Sequence, residues 1–305
     1  MKLISFAFEG QARPGLWLGE QVLDLSAAAA IAGENLDFSS VLAIARGGNA
    51  QWQTLRRIEK NRATFSAALL PAAAVQLLAP IPLPARNAFC VGRNYLDHVK
   101  EGYAKRGADV KLPEVPQFFT KATHAINAPG AAVRLDTRVT KLLDYEVELA
   151  VIIGRSGRDI TPEAAYEHVF GYTIANDVTA RDLQRRHDQW FKGKSLDTTL
   201  PMGPWIIDPE EIGDPLTLEL SLTVNGEERQ RAKVHQMIFD IPAIIASLSA
   251  GLTLDAGDII CTGTPAGVGF AMEPTQRLRG GDVVVARIDR IGELTSPILE
   301  VGAPA

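Results

Sequence analysis

The chain has 305 residues, 46% of them hydrophobic, a formal net charge of −5 and only two cysteines. That length exceeds one typical domain and supplies a sizeable core, so a large domain with a smaller companion is expected. An acidic balance with no Lys/Arg cluster beyond two or three residues excludes the electrostatic footprint of a nucleic-acid binder and favours a small-molecule partner.

The N-terminal MKLISFAFEG reaches Glu9 before a signal-type apolar region is complete, so secretion is not expected and a cytoplasmic location is. Residues 2–24 read as short strands joined by turns at Gly10–Gly15 and Gly19–Glu20. Residues 25–69 are alanine-rich and helical in character, with Leu42, Ile44, Leu55 and Ile58 facing a core and a break at Gly47-Gly48. Nothing here collects metal ligands or pairs a base with a nucleophile, so the small α+β unit over 1–78 reads as structural or dimer-supporting. The stretch 67–85 is almost entirely apolar, but Pro71, Pro80, Pro82 and Pro84 forbid a continuous helix. It reads as a packed connector, not a membrane span, and leads into a second domain over 79–305.

That second domain is strand-rich. NAFCVG (87–92), HVFGYTIAND (168–177), LTLELSLTVNG (216–226), DIICTG (258–263) and DVVVARID (282–289) all read as strands, and Asn225-Gly226 marks a two-residue hairpin. Many strands with few, unevenly placed helices predict an α+β, mostly β, mixed and largely antiparallel sandwich or roll. Cys90 and Cys261, inside two of these apolar runs, read as reduced core residues.

The segment KLLDYEVELAVIIG (141–154) carries the sharpest signal. Read as one strand, it turns Leu143, Tyr145, Val147, Leu149 and Val151 to one face and Asp144, Glu146, Glu148 and Ala150 to the other. Two glutamates sharing a face just before a doubly buried run are costly unless neutralised, and a hard divalent cation is the simplest remedy. The bland alternative is an edge strand with a solvated face. Asp177, following the run GYTIAN, could complete a three-carboxylate site or simply cap a helix.

Three further stretches carry candidate chemistry. In VGRNYLDHVKE (91–101), Gly92 permits a turn, Asn94 can cap a helix, and His98 and Glu101 at i and i+3 share a helix face, so that the acid orients the imidazole as a base. An ordinary surface ion pair is the alternative. QWFKGKSLDTTLPMGPWI (189–206) is loop-like, with Lys192 or Lys194 available to a substrate carboxylate or oxyanion, Lys192 being the one better read as solvated. GDIICTGTPAGVGF (257–270) runs a buried strand into a glycine-rich turn whose amides and Thr264 hydroxyl suit an anion, a plain hairpin turn being the alternative. It matches neither a Walker loop nor a dinucleotide fingerprint.

In order and wording, VGRNYLDHVKE, LDYEVELAVIIG, GYTIANDVTARDLQ, GKSLDTTLPMGP, VNGEERQ with MIFDIPAIIASLS, and GDIICTGTPAGVG resemble the fumarylacetoacetate hydrolase superfamily over nearly all of residues 84–300. The resemblance implies a mixed β-sandwich roll, a homodimer, and one Mg2+ or Mn2+ held by Glu146, Glu148 and Asp177. It implies that His98 and Glu101 form the acid–base dyad, that Lys194 stabilises negative charge, and that Arg181, Gln184 and Thr264 contact a small 2-oxo acid substrate. Residues 1–80 match the extra domain of the longer members more loosely.

The activity so implied is metal-dependent hydrolysis of the carbon–carbon bond of an acylpyruvate, of fumarylpyruvate or maleylpyruvate type, through a pyruvate enolate. The rival expectation is oxaloacetate decarboxylation or tautomerisation, or a 2-hydroxymuconate-type isomerisation, through the same enolate. A non-catalytic binding protein is disfavoured by the intact dyad. Arg185, Arg186 and His187, clustered beside Gln184, would reach a second carboxylate at the far end of the substrate.

Overall fold

The computed structural model describes residues 1–33 and 37–302. Two sheets form the body. The larger contains twelve strands among the described residues, and its centre runs Lys2–Phe8, Leu200–Ile207, Val169–Asn176, Val147–Ile153, Ile259–Cys261, Ala88–Gly92 and Gln117–Lys121. The smaller has five strands in the order Glu227–Lys233, Glu219–Val224, Val283–Ile288, Gly292–Val301 and Val133–Asp136. Pairing is mostly antiparallel, with parallel exceptions such as Ile260 beside Phe89 and Ile298 beside Val133. This is the mixed, strand-rich α+β sandwich that the strand pattern predicts.

Val147–Ile153 is buried at every position because both of its faces are covered. Val147, Leu149, Val151 and Ile153 join a core with Leu220, Leu222, Val284, Ala286 and Leu294 on the inner face of the smaller sheet. Ala150 and Ile152 face the other way, into a core with Ile44, Trp52, Leu55 and Ile58 from the N-terminal helices Val41–Arg46 and Ala50–Lys60. Leu42 is only partly buried against this second core. Residues 1–78 extend the large sheet directly, since Lys2 pairs with Ile207 and Leu3 with Ile206.

Several local expectations hold. Gly47 and Gly48 separate the two N-terminal helices, Gly48 with a left-handed φ of 74°. Asn225 (φ 52°) and Gly226 (φ 82°) both take the left-handed conformation that a type I′ hairpin needs. Residues 67–85 do form a connector, two of whose short pieces, Leu69–Pro71 and Gln76–Leu78, pair with the large sheet. Among the described residues, no helix is long and apolar enough to cross a membrane.

The stretch 189–206, read as a loop, ends in the central strand Leu200–Ile207, and residues 11–15, read as part of a turn, belong to the strand Gln11–Trp17. Two further expectations need correction. The stretch 141–154 is not one strand: Leu143–Asp144 pairs with Thr179–Ala180, and the ladder resumes only at Val147. At the break, side chains replace backbone partners, with Asn176 Oδ1 accepting from the Glu146 N–H (3.0 Å) and Gln230 Oε1 from the Val147 N–H (3.0 Å). Satisfied this way, the backbone can leave the ladder without orphaned donors while the alternation of side chains survives. The second correction concerns Asn94. It does not cap the helix Leu96–Ala104, whose N-cap is Tyr95 without a side-chain bond. The buried Asn94 amide instead donates to the carbonyls of Phe239 (2.9 Å) and Thr262 (2.7 Å) and accepts from the Phe239 N–H (2.8 Å).

Candidate active site

Where the central strand breaks, Glu146 and Glu148 project from the same face, and Asp177 follows the neighbouring strand Val169–Asn176. Register brings them together: Val147 pairs with Asn176, and the Asp177 N–H donates to the Glu146 carbonyl at 2.8 Å. One oxygen from each of the three buried carboxylates lies within 4.8 Å of the others. Like charges this close in a dry setting demand compensation.

Cations supply part of it. Lys194, from the short helix Phe191–Lys194, places its Nζ 2.7 Å from both Glu146 Oε2 and Asp177 Oδ2. Lys121, fully buried at the end of Gln117–Lys121, donates to Asp177 Oδ1 (2.6 Å) and to the Val178 carbonyl (2.9 Å). Arg181 Nη2 stands 2.7 Å from Glu146 Oε1, while its Nε donates to Asp144 Oδ2 at 2.9 Å. Asp144 is held in turn by the N–H groups of Tyr145, Gly269 and Phe270.

Glu148 is the exception. Among the described residues no cation pairs with it, and its Oε2 accepts only the Gly263 N–H, at 2.8 Å. Burial, reinforced by the charge of Asp177, therefore pushes its carboxyl well above the usual range. Burial would also raise Glu146, but the charges of Lys194 and Arg181 outweigh it and hold that carboxyl down at about 2. Against burial, Asp177 and Glu146 keep the Lys194 ammonium charged. Three hard oxygen ligands, one of them an uncompensated buried carboxyl, fit a divalent cation such as Mg2+ or Mn2+. Glu146, Glu148 and Asp177 would hold it.

Across the cavity, His98 Nδ1 lies 2.7 Å from Glu101 Oε1 on the helix Leu96–Ala104, as the i, i+3 spacing predicts. Glu101 Oε2 accepts the Gly267 N–H at 2.9 Å. In the neutral imidazole, a carboxylate facing Nδ1 favours the tautomer protonated there, with the lone pair on Nε2. The same loop contributes Thr264, whose hydroxyl accepts from Gln230 Nε2 at 2.8 Å and keeps its own hydrogen to donate.

His98, Glu146, Glu148, Arg181, Gln184, Lys194 and Thr264 line one cavity of about 620 Å³. Asp177 lies behind Lys194, and Glu101 behind His98. Arg185 and His187 also border it, whereas Arg186 and Lys192 are exposed and do not. Four residues of this neighbourhood escape the sequence reading. Lys121 has a faint signal, as a lone lysine in phase with Phe119 on an apolar strand, and Asp144 has a stronger one, as the third acid on the face of Glu146 and Glu148. Gln230 and Arg93 have no local signal.

Comparison with known proteins places the chain in a family. The family model described as fumarylacetoacetate hydrolase C-terminal matches residues 87–299. The chain is 51% identical to "Oxaloacetate tautomerase YisK" of Bacillus subtilis over 224 residues, 73% of each chain. A fumarylacetoacetate hydrolase structure from Exiguobacterium antarcticum superposes with a TM-score of 0.81 at 40% identity, covering 99% of this chain and all of the other. For the maleylpyruvate hydrolase structure from Sphingobium sp. SYK-6 the figures are 0.76 and 30%, with the same coverage. With the family model spanning both carboxylate strands, the dyad helix and the glycine-rich loop, this chain belongs to the fumarylacetoacetate hydrolase family and is an enzyme of that superfamily.

Proposed function

We propose that this enzyme interconverts the enol and keto forms of a 2-oxo dicarboxylate of the oxaloacetate type. The observation that carries the reading is the placement of a carboxylate-oriented imidazole and a buried ammonium on one cavity beside three clustered carboxylates. The 51% identity to an oxaloacetate tautomerase favours this reaction over the acylpyruvate hydrolysis expected from the sequence.

A divalent cation bound by the three carboxylates would take the 2-oxo acid end of the substrate and draw electron density from it. His98 Nε2 then accepts a proton from C3 of the keto form, and Glu101 stabilises the resulting imidazolium. Two of the three N–H bonds of Lys194 are directed at Glu146 and Asp177. The third supports negative charge developing on the C2 oxygen. Return of the proton to that oxygen gives the enol, and the reverse sequence gives the ketone. Arg181 and Gln184, bonded to each other at 3.3 Å, border the cavity and orient the substrate.

A second reading, hydrolysis of an acylpyruvate, is supported by the 30% identity and full-length superposition with a maleylpyruvate hydrolase. The same His98 Nε2 would deprotonate a water that attacks the distal carbonyl. The decisive experiment follows the ultraviolet absorbance of enol-oxaloacetate and, in parallel, pyruvate release from fumarylpyruvate, maleylpyruvate and oxaloacetate, with a chelator control. Chelator-sensitive acceleration of enol decay is the expected result. An unchanged enol lifetime with rapid pyruvate release from an acylpyruvate would replace tautomerase by hydrolase.

A further inference from the structure

Arg93 sits where the strand Ala88–Gly92 turns into the helix that carries His98, and it has a left-handed φ of 56°. For a residue with a Cβ this conformation is strained, and glycine would adopt it at lower cost. The backbone has no freedom to relax, because the Asn94 amide is anchored on Phe239 and Thr262 and the Asn94 carbonyl accepts from the Ile238 N–H at 2.7 Å. A strained position that retains a long cationic side chain points to a use for that side chain.

The guanidinium of Arg93 lies 5.6 Å from the ring centre of Trp190 and 6.0 Å from that of Tyr103. Trp190 is itself held, by an edge contact to Phe119 at 5.5 Å and by packing on Gly92, where an added Cβ would meet the indole at 2.4 Å. Despite being half-buried, the guanidinium has no hydrogen bond or ion pair among the described residues. Burial and the nearby Arg106 make its positive charge harder to hold than usual. Aromatic faces orient a guanidinium but leave its N–H fork unsatisfied, and that fork matches a carboxylate. Arg93, Tyr103, Arg106 and Trp190 all border the cavity lined by His98, Glu146 and Glu148.

We propose that Arg93 is a specificity-determining residue that binds the distal carboxylate of a dicarboxylate substrate. The inference rests on the 2-oxo dicarboxylate reading above and names the residue that would select such a substrate over its monocarboxylate analogue. Arg185 also borders the cavity, but it is exposed and lies over Phe270 at 4.5 Å. Arg93 is the better buried of the two, and its guanidinium is fixed between two aromatic rings.

The test uses two inert 2-hydroxy acids that differ only at the distal end, (S)-malate and (S)-2-hydroxybutyrate, titrated calorimetrically into the Mg2+-loaded full chain. Wild type should prefer malate by about ten- to hundredfold, the range expected for hydrogen bonds to a charged group. Arg93→Gln should abolish the preference while leaving 2-hydroxybutyrate affinity in place. Arg93→Gly should do the same with an unchanged or higher melting temperature, because glycine relieves the φ strain and so separates lost recognition from lost folding.

With oxaloacetate as substrate, the Michaelis constant of Arg93→Gln should rise more than kcat falls. Equal wild-type affinity for the two hydroxy acids would overturn the proposal, as would an Arg93→Gln variant that keeps the preference or an Arg185→Gln variant that loses it instead. Arg93-dependent malate binding in an enzyme that does not turn over oxaloacetate would keep the carboxylate site and discard the tautomerase reading.

Discussion

Glu101 and Gly267 stand 166 positions apart in sequence, yet the Gly267 N–H donates to Glu101 Oε2 at 2.9 Å while the other carboxylate oxygen meets His98. The proposed base is therefore oriented by a turn from the far end of the domain. Gly267 has φ 102°, and a Cβ there would fall 1.9 Å from the Arg229 carbonyl oxygen, so only glycine fits. Gly267→Ala should displace the turn and lower kcat at least about tenfold, since misplacing a catalytic group by even an ångström is expensive. Mg2+ affinity, measured by titration calorimetry, should stay close to wild type; wild-type kcat in this variant would refute the link.

His98→Ala removes the proposed base itself and should cost about a hundred- to ten-thousandfold in the rate of enol–keto interconversion. Glu101→Gln keeps a hydrogen-bonding side chain but not the charge that stabilises the imidazolium, so its loss should be smaller and in kcat. Steady-state rates of the two variants settle the order, and a Glu101→Gln defect larger than that of His98→Ala would contradict it.

Lys121 and Asp177 are both fully buried, their charged atoms 2.6 Å apart. Lys121→Met leaves Asp177 with one cation fewer, and breaking a buried pair costs roughly 3–5 kcal/mol. A divalent cation replaces part of the missing charge, so the loss of melting temperature should be larger in EDTA than in saturating Mg2+. Equal losses in the two buffers would mean that Lys121 does not compensate the carboxylate cluster.

Glu148 predicts an unusual pH dependence of the metal-free protein. Its carboxyl is pushed up by burial and by Asp177, so between its ordinary value near 4.5 and its folded value the folded chain binds more protons than the unfolded one. Stability then falls as pH rises, by up to about 1.4 kcal/mol per unit. Glu146 does not offset this above pH 5, because with a folded value of about 2 it is ionised in both states there. Urea unfolding from pH 5 to 8 should show this decline in EDTA and a flatter profile in Mg2+, which favours the ionised carboxylate. Parallel profiles would exclude Glu148 from the metal site.

Cys90 and Cys261 are buried side by side in register across two strands, and burial together with the neighbouring sulfur pushes the Cys90 thiol up. Neither should react with Ellman's reagent in the native protein, and two thiols per chain should titrate after denaturation. A fast-reacting native thiol would show that this part of the sheet opens.

Much of the site is legible in the sequence because it is written in local periodicity. A repeat of two places Glu146 and Glu148 on one face, a spacing of three on a helix joins His98 to Glu101, and Asn-Gly encodes its hairpin through two left-handed residues. Each outcome depends on backbone geometry over a few residues. The strand-rich α+β class follows from the same short-range patterns.

The compensation of charge was decided only by the folded chain. Lys121 reaches Asp177 across 56 positions, Arg181 reaches Asp144 across 37, and Gln230 satisfies the Val147 N–H across 83. These partners matter because the site is dry, and dryness comes from two sheets and the N-terminal helices closing over one strand. No residue's own neighbours in sequence state whether it will lose its water, and that loss is what makes Glu148 hard to ionise and leaves Arg93 in need of an anion.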